Sequence, residues 1–187
     1  MMDIKKKIFR FTLPLLKLIG GLFFDKRYLN GKYFECSLSG WGWVLRSIVW
    51  QKIFGLNRHI PWPVSPFIKI SDPNNIKFDA NDINNFQTFG NYFQNFGGKI
   101  YIGKGTYIAP NVGIITVNHN PNNLDEYLEG NDVIIGTKCW IGMNSVILPG
   151  VELGDRTIVG AGSIVTKSFP QGNVTMRLFM YPLQIDW

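Results

Sequence analysis

Cut into sixes, residues 135–170 read IGTKCW, IGMNSV, ILPGVE, LGDRTI, VGAGSI and VTKSFP. The first positions are Ile135, Ile141, Ile147, Leu153, Val159 and Val165, and Gly follows in four of the six. The fifth position is small or compact at Cys139, Ser145, Val151, Thr157 and Ser163, until Phe169 ends the pattern. Upstream, IGKGTY from Ile102 and IAPNVG from Ile108 obey the same rule, and windows starting at Phe96 and Gly90 match more loosely. A period of six is neither the 3.6 of an amphipathic helix nor the two of a half-buried strand. It suits a coil of three short flat faces, one hexad per face. The aliphatic residue points inward, the Gly permits a tight corner, and the small residue fills the next inward slot. Stacked coils then pair their backbones as parallel strands. The expected fold is mainly β, a parallel β-helix, with Cys139 inside it.

The phase of the repeat slips once. The step from Ile108 to Ile135 is four and a half hexads, so something is inserted between them. The run 118–132 has no hexad pattern and is rich in Asn, Asp, Pro and Gly, which reads as a loop thrown out of the coil. Loops on rigid scaffolds are where function concentrates. His119 lies where the coil leaves for this loop, and it is the only His of the repeat body. With an unperturbed pKa of about 6.5, an imidazole is the side chain suited to general base catalysis near neutral pH. The other histidine, His59, sits in the Pro-rich boundary segment and reads as structural.

The hexads, the inserted loop and its Asn118-His119-Asn120 entry resemble the hexapeptide-repeat acyltransferases, closest to the maltose, galactoside and surface-polysaccharide O-acetyltransferases. The resemblance covers roughly residues 65–172 and is sharpest over 100–168. It implies a left-handed β-helix, a homotrimer, acetyl-CoA as co-substrate, no metal, and direct transfer to a sugar hydroxyl with His119 as general base. It further implies acceptor contacts at Asn95, Asn118 and Trp140. An amide both donates to and accepts from hydroxyls, although an Asn at residue 95 equally suits a corner turn. An outward Trp140 is costly unless it packs on something, so it borders a cleft or a subunit contact. The coenzyme arm is expected along backbone near Gly160, Ala161 and Gly162, with Thr166 and Lys167 at its adenosine end, where Lys167 can meet a phosphate as a point charge. Met143 stands where some relatives carry Ser, which leaves only backbone to serve there.

Charge divides the chain. Residues 1–60 hold 11 of the 19 basic residues against Asp3, Asp25 and Glu35, a net of +8, whereas residues 61–187 carry a net of −2. Within the front, Phe11–Phe24 is apolar but interrupted by Pro14 and Gly20-Gly21, and it is too short to span a bilayer. From Trp43 to Phe54, Val44 with Ile48, and Leu45 with Val49 and Ile53, recur at helical spacing. Cations mixed with Trp and Phe suit an anionic membrane surface, so residues 1–60 read either as helices capping the coil or as a peripheral membrane foot. A secretory leader is a rival, but no small-x-small site precedes Asp25. Pro61, Pro63 and Pro66 end this region. The organisation expected is a basic, partly helical segment 1–64, a β-helix 65–172 with its loop 118–132, and an atypical tail 173–187. The location expected is cytoplasmic, at the inner face of the membrane.

The tail lacks the small-residue turn of the Gly-Asn-Pro-Ala type with which the resembling proteins approach the coenzyme, so a non-catalytic trimeric scaffold with a decayed donor site stays open beside the enzyme. So does an acyltransferase for another small acceptor such as serine, although such relatives carry a larger helical N-terminal domain. Two Cys exclude a disulfide scaffold, and two His exclude a zinc site built on three histidines of one chain. Nucleic-acid binding is not expected, because the positive charge lies with an apolar front and not on the repeat.

Overall fold

A computed structural model describes residues 2–169 and 175–176, with side chains for Phe9 and 11–169. The hexads form three parallel sheets. One runs Lys69–Ile70, Tyr92–Gln94, Gly113–Ile115, Val146–Ile147 and Ile164–Val165. A second runs Ile76–Lys77, Ile100–Ile102, Val133–Ile135 and Glu152–Leu153. The third runs Tyr107–Ile108, Trp140–Ile141, Ile158–Val159 and Thr175–Met176. Consecutive hexads fall on different sheets, so the chain winds around a triangular coil.

Register explains the phase slip. Ile135 pairs with Leu153, Ile141 with Val159 and Ile147 with Val165, each partner three hexads further on, so three hexads make one coil. Ile102 pairs with Ile135, Ile108 with Ile141 and Ile114 with Ile147, each partner five and a half hexads further on. The excess of two and a half hexads is the length of the insert 118–132. Every aliphatic first position from Ile102 to Val165 is buried, and so are the fifth positions Thr106, Val112, Cys139, Ser145, Val151, Thr157 and Ser163. The windows at Phe96 and Gly90 fail this test: both residues are exposed, and the inward positions there are Asn91, Phe93, Asn95 and Ile100. The first coils are wider, since Ile114 lies three and a half hexads after its partner Phe93, and Phe93 lies nearly four after its partner Ile70.

The glycines after the inward aliphatics have a different cause from the one expected. A Cβ on Gly103, Gly136 or Gly142 would lie 2.3–2.6 Å from backbone of the next coil, so the stacking of coils excludes a side chain there. The corner itself is made at the fourth position of these hexads, which is left-handed at Gly105, Asn111, Lys138, Asn144, Gly150, Arg156 and Gly162, with φ of 54–78°. Only Gly takes this conformation without strain, and Asn takes it more readily than Lys or Arg.

The front is more continuous than its Pro and Gly predicted. Helix α1 runs unbroken over Met2–Phe23 with Pro14 inside it. Two shorter helices follow, α2 at Lys32–Glu35 and α3 at Ser39–Ser47, the latter continuing into a π-helical turn at Ile48–Ile53. Phe9, Leu13 and Leu16 of α1 pack against the core. Trp62 is fully buried among the rings of Tyr28, Phe78 and Phe86, and Phe86 meets Phe93 of the coil at 5.3 Å, so helical front and β-coil share one hydrophobic interior. Gln51, also buried, donates to the carbonyls of Asn57, Ile60 and Trp62 and accepts from the Val64 N–H. His59 Nε2 lies 3.1 Å from the Ile70 carbonyl, a structural contact. Among the described residues no helix is long and apolar enough to cross a membrane. The unusual tail 173–187 lies outside the described residues apart from the backbone of 175–176.

Candidate active site

The insert is built rather than loose. His119–Asn120 and Asn123–Tyr127 pair as an antiparallel hairpin around Pro121-Asn122. Its base is tied to the coil from beneath. Gln94, buried on an early coil, accepts from the backbone N–H groups of Thr116 and Val117 at 3.1 Å each and donates to the Val117 carbonyl at 3.0 Å. The Thr116 hydroxyl donates back to the Gln94 carbonyl at 2.8 Å. On the return side, the Asp132 carboxylate accepts from the Lys99 N–H at 2.7 Å. These bonds set where residue 119 leaves the scaffold.

His119 is exposed, and its Nδ1 lies 2.8 Å from the Leu124 carbonyl across the hairpin. A carbonyl only accepts, so the hydrogen of this bond resides on Nδ1 and a neutral ring carries its lone pair on Nε2. Tyr127 lies against the imidazole with ring centroids 4.4 Å apart and 37° between planes, and Phe96 meets Tyr127 edge-on at 4.9 Å. The ring is thereby fixed in tautomer and orientation, with a basic nitrogen presented to solvent, an arrangement able to take a proton from a hydroxyl. Asn118 is exposed beside it.

The other expected residues fall into separate groups. Trp140 is 56% exposed, in an outward column with its strand partners Tyr107 and Ile158, themselves exposed. Met143 and Gly160–Gly162 share a corner on successive coils, joined by the Gly162 N–H to the Met143 carbonyl at 2.7 Å, and a Cβ on Gly162 would meet nothing. Ala161, Thr166 and Lys167 lie on the last described coils, Thr166 and Lys167 exposed and Ala161 at the coil corner. Among the described residues, no hydrogen bond, ion pair or ring contact joins the His119 hairpin to Trp140 or to the Met143–Gly162 corner.

Asn95 occupies a setting unlike that of an acceptor contact. It is 0% exposed, its Oδ1 accepts from the Asp72 N–H at 2.9 Å, and its Nδ2 donates to the Asp72 carbonyl at 2.6 Å. The amide is spent on locking a turn of the first coil. Sequence reading passed over Gln94, Leu124, Tyr127 and Phe96. Only the turn-forming Asn120-Pro121-Asn122 signalled a hairpin; the backbone carbonyl of Leu124 has no sequence signature.

Residues 132–167 match the family model of the bacterial transferase hexapeptide (six repeats). The galactoside O-acetyltransferase of Escherichia coli K12 is 39% identical over 90 residues, which are 43% of this chain and 44% of that protein. WcaF of the same organism, to which a role as colanic acid biosynthesis acetyltransferase is ascribed, is 36% identical over 80 residues, 43% of each chain. The chain thus spans less than half the length of these curated relatives. Among solved structures, a galactoside acetyltransferase in complex with coenzyme A aligns with a TM-score of 0.51 and 26% identity, over 85% of this chain and 74% of that one. The resemblance read from the hexads holds over residues 132–167, which are of the bacterial transferase hexapeptide type.

Proposed function

From this repeat body we propose that the chain is an O-acetyltransferase that passes an acetyl group from acetyl-CoA directly to a sugar hydroxyl, in the synthesis of a surface polysaccharide. The observation that carries the reading is His119, held by the Leu124 carbonyl so that Nε2 is free to accept a proton. In the reaction Nε2 removes the acceptor hydroxyl proton as that oxygen attacks the thioester carbonyl. The new C–O bond forms, the C–S bond breaks, and the proton leaves with the CoA thiolate. Asn118 and Trp140 contact the acceptor, and Asn95 locks the turn at Asp72. The backbone at Met143 and Gly160–Gly162 borders the pantetheine arm, where the open space at Gly162 leaves room for it, and Thr166 and Lys167 receive the adenosine end.

Among the described residues no hydrogen bond, ion pair or ring contact joins the base to the coenzyme corner, which supports assembly into a homotrimer whose sites form between neighbouring left-handed coils. The names of the relatives support the substrate class: galactosides, colanic acid and, for WbbJ of Escherichia coli, lipopolysaccharide. On this reading the 65–172 body is the catalytic unit, the 1–64 segment is its accessory, and the protein works in the cytoplasm at the inner face of the membrane. Calorimetric titration of acetyl-CoA and CoA into the protein, with oligomeric state measured on the same sample, tests the donor half. Saturable binding at one coenzyme per subunit is expected, followed by acetylation of a saccharide acceptor that His119→Ala lowers by at least ~100-fold. An intact trimer that binds neither compound refutes the enzyme and leaves a scaffold.

A further inference from the structure

Helix α1 is apolar on two sides and buries only one. Phe9, Leu13 and Leu16 face the core, whereas Phe11, Leu15, Leu18 and Leu22 are 88%, 58%, 62% and 75% exposed. The intervals of four, seven and eleven positions from Phe11 place these four in a single narrow stripe. The neighbouring element repeats the pattern: Leu45, Val49, Ile53 and Phe54 are exposed, while Val44 and Gln51 are buried. The two elements adjoin, since a Cβ on Gly20 of α1 would meet the Trp41 ring at 3.1 Å and Lys52 Nζ lies 4.7 Å from the Phe24 ring centre. Two adjoining stripes of large apolar side chains left exposed mark a docking face.

Charge selects the occupant. Residues 1–60 carry a net of +8, so a second copy of the same face would bring like charge against like charge, whereas an anionic bilayer complements it. A cleft of about 400 Å³ opens beside Leu18, lined by Pro14, Lys17, Leu18, Lys26, Leu29 and Asn30. Its lining is mainly apolar, and its polar residues are Lys17, Lys26 and Asn30. Asn30 already donates through Nδ2 to the Arg27 carbonyl at 2.6 Å, whereas an ammonium group is a point charge that suits a phosphate. Lys17 shares its charge with Glu35 at 3.1 Å, which leaves Lys26 as the main cation of the cleft.

We infer that this face lies flat on an anionic bilayer, with the Phe11–Leu22 stripe and the Leu45–Phe54 stripe among the acyl chains and a headgroup phosphate seated in the Lys26 cleft. This surface stands independently of acyl transfer. The test is co-sedimentation of the full chain with vesicles of phosphatidylcholine alone and with vesicles of equal parts phosphatidylcholine and phosphatidylglycerol. The expected result is binding to the anionic vesicles that falls as salt is raised, with little binding to the neutral ones. Leu18→Gln with Leu22→Gln, at exposed positions that leave the fold intact by circular dichroism, lowers the affinity ~100-fold. Lys26→Gln lowers it ~5-fold without touching the apolar stripe. Three results overturn the inference: no vesicle binding by folded wild-type chain, equal binding to neutral and anionic vesicles, or unchanged binding in the double variant. Concentration-dependent self-association that the double variant abolishes, with no vesicle binding, assigns the face to a second copy and equally overturns it. Transfer to a soluble acceptor, assayed on the same samples, is unchanged by all three substitutions, which keeps failure here distinct from failure of the catalytic reading.

Discussion

Replacing Asn95 with Ala separates a structural role from an acceptor contact. The native amide serves both polar groups of the Asp72 backbone, accepting at 2.9 Å and donating at 2.6 Å, with no exposure of its own. Truncation leaves an N–H and a C=O without partners, at about 1–3 kcal/mol each when buried. Asp72 is only half-buried, so water recovers part of that, and a loss of about 2–4 kcal/mol is expected. For a chain of this size, 1 kcal/mol displaces the midpoint by roughly 2–4 °C, so calorimetry should show Tm lower by ~4–16 °C. Asn95→Asp should be no better, since a carboxylate still accepts from the Asp72 N–H but faces the Asp72 carbonyl acceptor to acceptor and brings a charge inside. Measured well below the new Tm, acceptor KM should stay within about twofold of wild type, because the side chain reaches no surface. A native Tm combined with a KM raised tenfold or more would refute this and restore Asn95 as an acceptor ligand.

Gln94→Leu keeps the volume but removes the three bonds that seat residues 116 and 117 beneath His119; kcat should fall ~10–100-fold with acetyl-CoA affinity unchanged, and parallel loss of both in calorimetry and steady-state assays would contradict a positioning role. The Asp82 carboxyl titrates above its ordinary value because burial disfavours its charge, despite the Gly105 N–H it accepts at 2.6 Å. Its stabilising contribution is therefore complete below the unfolded carboxylate pKa of about 3.9 and is lost as pH rises through the raised folded value. Asp82→Asn, which still accepts from Gly105, should be more stable than wild type in urea titrations near neutral pH and no different in acid below that pKa; the reverse order would refute the assignment. Lys138 holds φ at 54°, so Lys138→Gly should raise stability by up to about 1 kcal/mol. By contrast Gly142→Ala, whose Cβ would stand 2.5 Å from the Ala161 nitrogen, should lower it by at least ~2 kcal/mol in the same denaturation experiment.

The parallel coil was legible in the residues from Ile135 to Val165. An inward aliphatic every sixth residue is a demand that each short face makes locally, whatever the rest of the chain does. The insert was equally legible, since a break in phase is arithmetic. For the same reason His119 stood out, as the lone imidazole where the repeat stops. The reason for the repeated glycines was not legible. Position two looked like the corner, but the corner lies at position four, and what forbids a side chain after Ile135 or Ile141 is the backbone of the adjacent coil. Nor did Pro14 and Gly20-Gly21 break α1, because packing of Phe9, Leu13 and Leu16 against the core outweighs propensity.

The sequence by itself determined the six-residue coil, the place of its interruption and the imbalance of charge between front and body, because composition, phase and count are properties of a line of residues. Only the tertiary structure decided that Asn95 faces inward to Asp72, that Gln94 braces the hairpin, and that Leu124 and Tyr127 hold the imidazole ring of His119 in one tautomer and pose. Only it showed which side of α1 is left bare. Those are relations between residues brought together from separate coils or across a hairpin, and a backbone carbonyl or an unburied helix face leaves no mark on the identity of the residues that make it.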